Sequence, residues 1–197
     1  MLDKEILGAL SVAIGVCGYI PYLIGLWRKK LKPHVFTWFL WGLLMWIAFA
    51  GQIAGGGGAG TWVTGFSAFM CTFVSVIAFF HGEKNITRSD WVTFAASLMT
   101  IPLWLATDTP LWSMLLIIVI EFLATWPTAR KSWMKPQEES PLSYLLAGVK
   151  FAPSALAMEE FNFITLSYPV ALVFINLALI ALIMGRRYAL EGRLNWD

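Results

Sequence analysis

The fold is decided by the stretch Pro21–His34, which reads Pro-Tyr-Leu-Ile-Gly-Leu-Trp-Arg-Lys-Lys-Leu-Lys-Pro-His. Here an apolar segment meets a proline and then a cluster of positive charge. The same pattern returns 106 positions later without a gap. This shift places five residues on identical partners: Pro21 on Pro127, Trp27 on Trp133, Lys29 on Lys135, Leu40 on Leu146 and Gly42 on Gly148. Prolines, tryptophans and glycines that match in register indicate an internal duplication.

The composition is typical of an integral membrane protein. Of the 197 residues, 58% are hydrophobic and 13% are charged, whereas a soluble domain is about 25% charged. The net charge of +2 is too small to predict a nucleic-acid partner. Cys17 and Cys71 lie in apolar blocks, so we expect two small buried side chains rather than a disulfide.

Seven apolar blocks predict seven transmembrane helices, because backbone polar groups in lipid must be satisfied within the segment. The blocks cover residues 6–27, 35–54, 61–81, 91–107, 111–129, 142–158 and 166–185. The 106-residue shift maps the first three blocks onto the last three and leaves the fourth without a partner. We therefore predict an all-α integral membrane fold of the type 3+1+3. Two parallel triple-helix bundles, residues 1–82 and 109–197, are joined by a linker helix within residues 83–108.

The distribution of Lys and Arg predicts the orientation in the membrane. Twelve of the fourteen basic residues fall on one predicted side, with Lys4 on the other side and Lys150 within a span. Cytoplasmic loops carry an excess of Lys and Arg. The N-terminus is therefore predicted to lie outside and the C-terminus in the cytoplasm, in a plasma or inner membrane.

Two motifs resemble the PQ-loop superfamily, which includes the SWEET and SemiSWEET sugar transporters. Pro21–Lys30 reads Pro-x-x-Ile-x-x-Trp-Arg-x-Lys, which resembles the PQ-loop motif. Trp46-Ile-Ala-Phe-Ala looks like the Trp-x-x-Tyr-Gly that closes the same helix in that family. The resemblance implies a transporter that moves a small polar solute, a sugar or similar, by alternating access between the two bundles. It is compatible with a homo-oligomer, and a non-transporting receptor of the same fold is the alternative.

Prolines within the blocks are candidate hinges. Pro21 and Pro127 lie near the predicted cytoplasmic ends of equivalent helices, and Pro153 lies in the middle of the sixth block. A proline removes a helical hydrogen bond and kinks the helix. Each is therefore either a static kink or a hinge for rocking, and the matched positions of the first two favour the hinge.

Two charges lie deep in the second half. Glu121 is nine residues from Arg130, and Lys150 is nine residues from Pro141, which places both at a similar depth near the middle of the bilayer. A charge there costs several kcal/mol unless it is paired or hydrated. We expect the two residues to pair with one another, either as a structural ion pair or as polar elements of a solute cavity.

Three uncharged residues complete the predicted substrate site. Asn176 lies in an apolar block and forms either an interhelical hydrogen bond or a contact to the solute. Trp46 is either a stacking platform for a sugar ring or a residue of the interfacial belt, and Ser67 aligns nearest to an asparagine of the resembled family. The predicted site is thus Trp46, Ser67, Glu121, Lys150 and Asn176. No His-Glu-x-x-His, Gly-x-Ser-x-Gly or Cys-x-x-Cys motif occurs, so neither an enzyme, a metal site nor a cofactor is expected.

Overall fold

The computed structural model describes residues 3–105 and 110–192 and is all-helical there, without a strand, which confirms the all-α part of the predicted fold class. The helices are α1 Lys4–Trp27, α2 Val35–Ala54, α3 Trp62–His81, α4 Arg88–Leu105, α5 Pro110–Met134, α6 Pro141–Val149, α7 Phe151–Ala157 and α8 Phe163–Glu191. Two 3₁₀ turns, Gly58–Thr61 and Pro136–Glu138, precede α3 and α6. The predicted end of the fourth block, the boundary at 108/109 and Arg193 lie outside the described residues.

Four helical segments of the described chain are long and apolar enough to cross a membrane: Lys4–Trp27, Val35–Ala54, Gly58–His81 and Phe163–Glu191. Each has at least 20 residues, and about 20 are needed to span the hydrocarbon layer. These segments are compatible with a multi-pass membrane protein.

The sixth predicted block, 142–158, is not one helix but two, with the break at Lys150. Pro153 has no N–H to donate to the carbonyl of Val149, and its ring would collide with that carbonyl in a continuous helix. The chain responds by ending α6 at Val149 and starting α7 at Phe151. Pro21 and Pro127, in contrast, lie within the continuous helices α1 and α5.

The helices within each half of the chain pack in the same way: the last helix of each half lies against the others. In the first half α3 packs against both α1 and α2, and in the second half α8 packs against α5, α6 and α7. In the described residues the backbones of α1 and α2 do not come close to each other, and neither do those of α5 and α6. Among these residues, helices α1 and α2 meet only through long side chains, such as the rings of Tyr22 and Trp38, whose centroids lie 5.0 Å apart. The matched glycines allow close helix packing at equivalent positions: a Cβ on Gly42 would lie 3.0 Å from Thr72 Oγ1 on α3, and one on Gly148 would lie 3.3 Å from Asn176 Cβ on α8.

Contacts between the halves are reciprocal. Helix α1 packs against α6 and α7, while its counterpart α5 packs against α2. The weaker contact of α2 with α8 is mirrored by a contact of α3 with α7. Helix α4 packs against α5 and α2 and takes no part in these matched contacts between the halves. The packing therefore leaves a space between the halves, where α1 and α2 face α5, α6, α7 and α8.

The two cysteines differ in burial. Cys71 is buried on α3 as expected, but Cys17 is exposed on α1, so the expectation of burial is wrong for Cys17. Both are free thiols. A residue within an apolar block faces either the bundle or the outer surface, and hydrophobicity alone does not distinguish these faces in a membrane helix.

Candidate functional site

A cavity of about 50 Å³ lies between the two halves of the chain. Among the described residues, every helix except α4 contributes to its wall. The polar part of the wall comes from the second half and the aromatic part mainly from the first. The side chains that decide its chemistry are Tyr19, Trp41, Glu121, Lys150 and Asn176. The cavity has room for a few water molecules or for a small solute of similar total size.

Lys150 is directed into the cavity by the break between α6 and α7. The residue is only 1% exposed, and its stem passes Gly15 of α1, where a Cβ would lie 3.5 Å from Lys150 Cδ. Its Nζ donates a hydrogen bond to Ser67 Oγ at 2.7 Å. The ammonium also lies 5.1 Å from the ring centroids of both Tyr19 and Phe151, a distance typical of cation–π contacts.

Glu121 on α5 reaches the same cavity and is also 1% exposed. Its Oε2 accepts a hydrogen bond from the hydroxyl of Tyr168 at 3.1 Å. Its Oε1 has no hydrogen-bond partner among the described residues. A buried carboxylate oxygen without a partner is unusual, because it loses its hydration without compensation.

The ion pair predicted between Glu121 and Lys150 is not formed. Each of the two side chains has its own hydroxyl partner, and no ion pair of the described residues joins them. The physical reason is that Ser67 of α3 holds the ammonium, whereas Tyr168 of α8 holds the carboxylate. The two ionisable side chains therefore line one cavity without contacting each other.

The other predicted residues divide into two groups. Asn176 lines the cavity, with its Nδ2 donating to the carbonyl of Leu172 at 2.8 Å. Ser67 does not line the cavity, but it positions Lys150 while donating to the carbonyl of Val63. Trp46 lies outside: it is 44% exposed and donates to Thr72 Oγ1 on α3 at 3.2 Å.

The aromatic wall predicted at Trp46 is formed instead by Trp41. Five residues along a helix turn the side chain by about 140°, so the two tryptophans of α2 face different directions. Trp41 is buried, lines the cavity, and donates to Thr125 Oγ1 of α5 at 3.3 Å. The signal in the sequence is the i, i+3, i+7 spacing of Trp38, Trp41 and Met45, all of which line the cavity.

A cluster of charged side chains that was not predicted from the sequence lies at the predicted cytoplasmic end of the bundle. We call it the end cluster; its members are Glu83, Asp90, Arg130, Lys131, Lys135 and Glu139. Three ion pairs join them: Lys131 with Glu139 at 2.6 Å, Arg130 with Asp90 at 2.7 Å, and Lys135 with Glu83 at 2.8 Å. Tyr144, a residue of the cavity wall, donates to Glu139 Oε2 at 2.8 Å.

The pairing shifts the pKa values of end-cluster groups in the loops. Burial alone would raise the pKa of Glu83, but hydrogen bonds from Lys135 and from the Asn85 backbone N–H outweigh it and lower the pKa to about 2. The same hydrogen bond raises the pKa of Lys135. Burial lowers the pKa of neighbouring His34, even though its Nε2 lies 3.4 Å from Asp90 Oδ2. The end cluster is thus built of three ion pairs of opposite charges, with His34 beside the pair of Asp90 and Arg130.

No protein-family model, curated protein or solved structure matches this chain. Within the described ranges no group of three His, Cys, Asp or Glu side chains is placed to hold a metal ion. The proposed function therefore rests on the side chains of the cavity and on the packing around it.

Proposed function

We propose that this protein is a membrane transporter that carries a small polar solute by alternating access. The observation that carries the proposal is the cavity between the two halves, which holds an ammonium and a carboxylate with unused hydrogen-bonding capacity. Buried ionisable groups in membrane helices are costly and commonly mark solute or ion pathways. Solute sites of repeat-built transporters lie near the midplane, where the repeats meet.

The proposed architecture is 3+1+3. Helices α1, α2 and α3 form one bundle, α4 is the linker, and α5, α6–α7 and α8 form the second, with the broken helix serving as one crossing. The reciprocal packing of the halves supports this arrangement, as does the equivalent use of Gly42 and Gly148. Seven crossings and the distribution of basic residues give an external N-terminus and a cytoplasmic C-terminus.

Contacts between the halves at both ends support an occluded state. At the predicted outer end Ser154 Oγ donates to the carbonyl of Gly60 at 2.7 Å. At the opposite end Lys32 Nζ pairs with Glu138 Oε1 at 3.1 Å. Each end has further contacts between the halves: Lys4 Nζ donates to the carbonyl of Met158 at the outer end, and Lys131 Nζ donates to the carbonyl of Lys32 at the other. Alternating access would break the contacts of one end at a time, while those of the other end stay formed.

The three prolines supply bend points for this rocking. Pro21 and Pro127 interrupt the hydrogen bonding of α1 and α5, which are equivalent helices that each face the other half. Pro153 produces the break at Lys150, so that a bend there would move the ammonium itself. Broken helices at the site are a recurrent feature of transporters.

Orientation is tested with single-cysteine variants on a background in which Cys17 and Cys71 are replaced by Ser or Ala. A cysteine at Glu160, which is exposed in the loop between α7 and α8 at the predicted outer end, should react with a membrane-impermeant maleimide in intact cells. A cysteine at the exposed Lys84 should react only after permeabilisation. Labelling in the opposite order would overturn the orientation and the parallel arrangement of the bundles.

Transport is tested by uptake into proteoliposomes that contain purified protein. Solutes that raise the melting temperature of the protein are assayed for counterflow, with Glu121→Gln as the site variant and Glu5→Gln as the control. Glu5 is exposed at the start of α1 and its side chain lies outside the cavity. We expect uptake by the parent and by Glu5→Gln and a loss of uptake for Glu121→Gln. Binding without uptake by the parent would favour the receptor alternative.

A further inference from the structure

The two charges of the cavity leave a defined set of unused hydrogen-bonding groups. The ammonium of Lys150 has three N–H donors, and in the described residues one of them is used, by Ser67. The rings of Tyr19 and Phe151 flank the same ammonium but accept no conventional hydrogen bond from it. Up to two donors of a full positive charge therefore remain for a ligand, and their best partner is a carboxylate.

Glu121 offers the opposite chemistry. One carboxylate oxygen accepts from Tyr168, and the other has no partner within the described part of the chain although it is fully buried. No ion pair of that part involves Glu121. A carboxylate oxygen with free lone pairs in a wall of apolar and aromatic groups fits an ammonium of the ligand.

We infer that the solute is a small zwitterion of the amino-acid type, with its carboxylate on Lys150 and its ammonium near Glu121. This inference rests on the proposed function of the cavity as the solute site. A neutral polyol would leave both protein charges without a counter-charge, and a simple anion or cation would compensate only one of them. A zwitterion compensates both and carries no net charge across the membrane. Asn176, on the same wall, is placed to contact the polar backbone of such a solute.

The first test uses the unmodified protein in detergent or nanodiscs. The probes are the common L-amino acids, each compared with its amide, which lacks the carboxylate, and with its 2-hydroxy acid, which lacks the ammonium; glucose represents neutral polyols. We expect at least one amino acid to raise the melting temperature and to bind by calorimetry. Its amide and its hydroxy acid should each bind about 100-fold more weakly, because a site built for a charged group rejects an analogue that lacks it. Equal binding of the three analogues, binding of glucose alone, or no shift with any amino acid would overturn the inference.

The second test assigns the two ends of the solute. Lys150→Met should abolish the preference of the site for the amino acid over its amide, and Glu121→Gln should abolish the preference over the hydroxy acid. The matched controls are Lys30→Met and Glu5→Gln, at exposed positions outside the cavity wall. Unchanged preferences in both folded site variants would overturn the assignment.

Failure of this inference is distinguishable from failure of the proposed function. Uptake of a neutral sugar without binding of any amino acid would support the transport proposal and refute the inference that the solute is a zwitterion. Selective binding of an amino acid without counterflow would support the inference of a zwitterionic ligand and refute the transport proposal. Should a site variant fail to fold, the analogue series on the unmodified protein still decides the question.

Discussion

The central cavity and the end cluster both bury ionisable side chains, but the partners of these side chains differ between the two regions. In the end cluster Lys131 meets Glu139 at 2.6 Å, and Glu139 also accepts from Tyr144. In the cavity Lys150 and Glu121 meet hydroxyl groups, and one oxygen of Glu121 has no described partner. Burying a charge costs several kcal/mol, which a close counter-charge offsets. Charges paired within the chain therefore stabilise the fold, whereas the ionisable groups of the cavity, which lack a counter-charge among the described residues, fit the proposed role in binding a solute.

The largest expected effect on stability comes from unpairing the end cluster. Glu139→Gln would leave the ammonium of Lys131, which is 2% exposed, without its counter-charge. Removing one partner of a buried ion pair costs about 3–5 kcal/mol. We expect the free energy of unfolding, measured by denaturation in mixed micelles, to fall by about that amount.

The control for this change is Glu138→Gln in the neighbouring position. Glu138 pairs with Lys32, whose side chain is 45% exposed, and an exposed pair contributes about 0–1 kcal/mol. Similar losses for the two variants would show that burial does not distinguish the pairs and would break the comparison of the two regions.

A smaller effect is expected from pH, through Glu83. Hydrogen bonds from Lys135 and Asn85 lower its pKa from the ordinary value of 4.5 to about 2, against the opposing effect of burial. Because the folded state binds the proton more weakly than the unfolded state, the stabilisation is complete above pH 4.5 and is lost as the pH falls from 4.5 to about 2. Melting temperatures measured across this range should fall less steeply for Glu83→Gln than for the parent. An identical slope would mean that Glu83 is not paired in solution.

Lys150→Met is expected to have a still smaller effect on stability, in contrast to Glu139→Gln. No carboxylate of the described residues forms an ion pair with Lys150, and methionine has a similar length without the cost of burying a charge. Replacement of a buried charge by an apolar side chain of similar volume is often neutral or stabilising. We expect a change in unfolding free energy within about 1 kcal/mol together with loss of solute binding. A loss as large as that of Glu139→Gln would make Lys150 a structural residue.

The helices were predictable because a helix that spans a bilayer needs a continuous apolar segment of about 20 residues, and such segments can be recognised directly in the sequence. The first three blocks match α1, α2 and α3 to within two residues at each end. The break at Lys150 was not predicted, although Pro153 was recognised. A proline in an apolar block produces either a kink or an interruption, depending on whether neighbouring helices can satisfy the freed carbonyl.

The site was predictable only where a residue type is costly in its surroundings. Glu121, Lys150 and Asn176 stand out in apolar blocks, and all three line the cavity. Their partners do not stand out, because Tyr19 and Tyr168 resemble the other aromatic residues of membrane helices until the facing helix is known. The pairing of Glu121 with Lys150 failed for the same reason, since equal depth in the membrane does not fix the direction in which each helix faces.

The smallest effect is expected from Trp46, in a matched comparison with Trp41. Both are on α2 and both donate through Nε1 to a threonine, Trp41 to Thr125 and Trp46 to Thr72. Phenylalanine removes the same donor at each position, which costs about 1 kcal/mol of stability or less. Only Trp41 lines the cavity, so Trp41→Phe should weaken solute binding in calorimetry while Trp46→Phe leaves the affinity unchanged. If Trp46→Phe weakened binding as much as Trp41→Phe, the solute would have to reach the outer face of α2, and the cavity between the halves would not be the binding site.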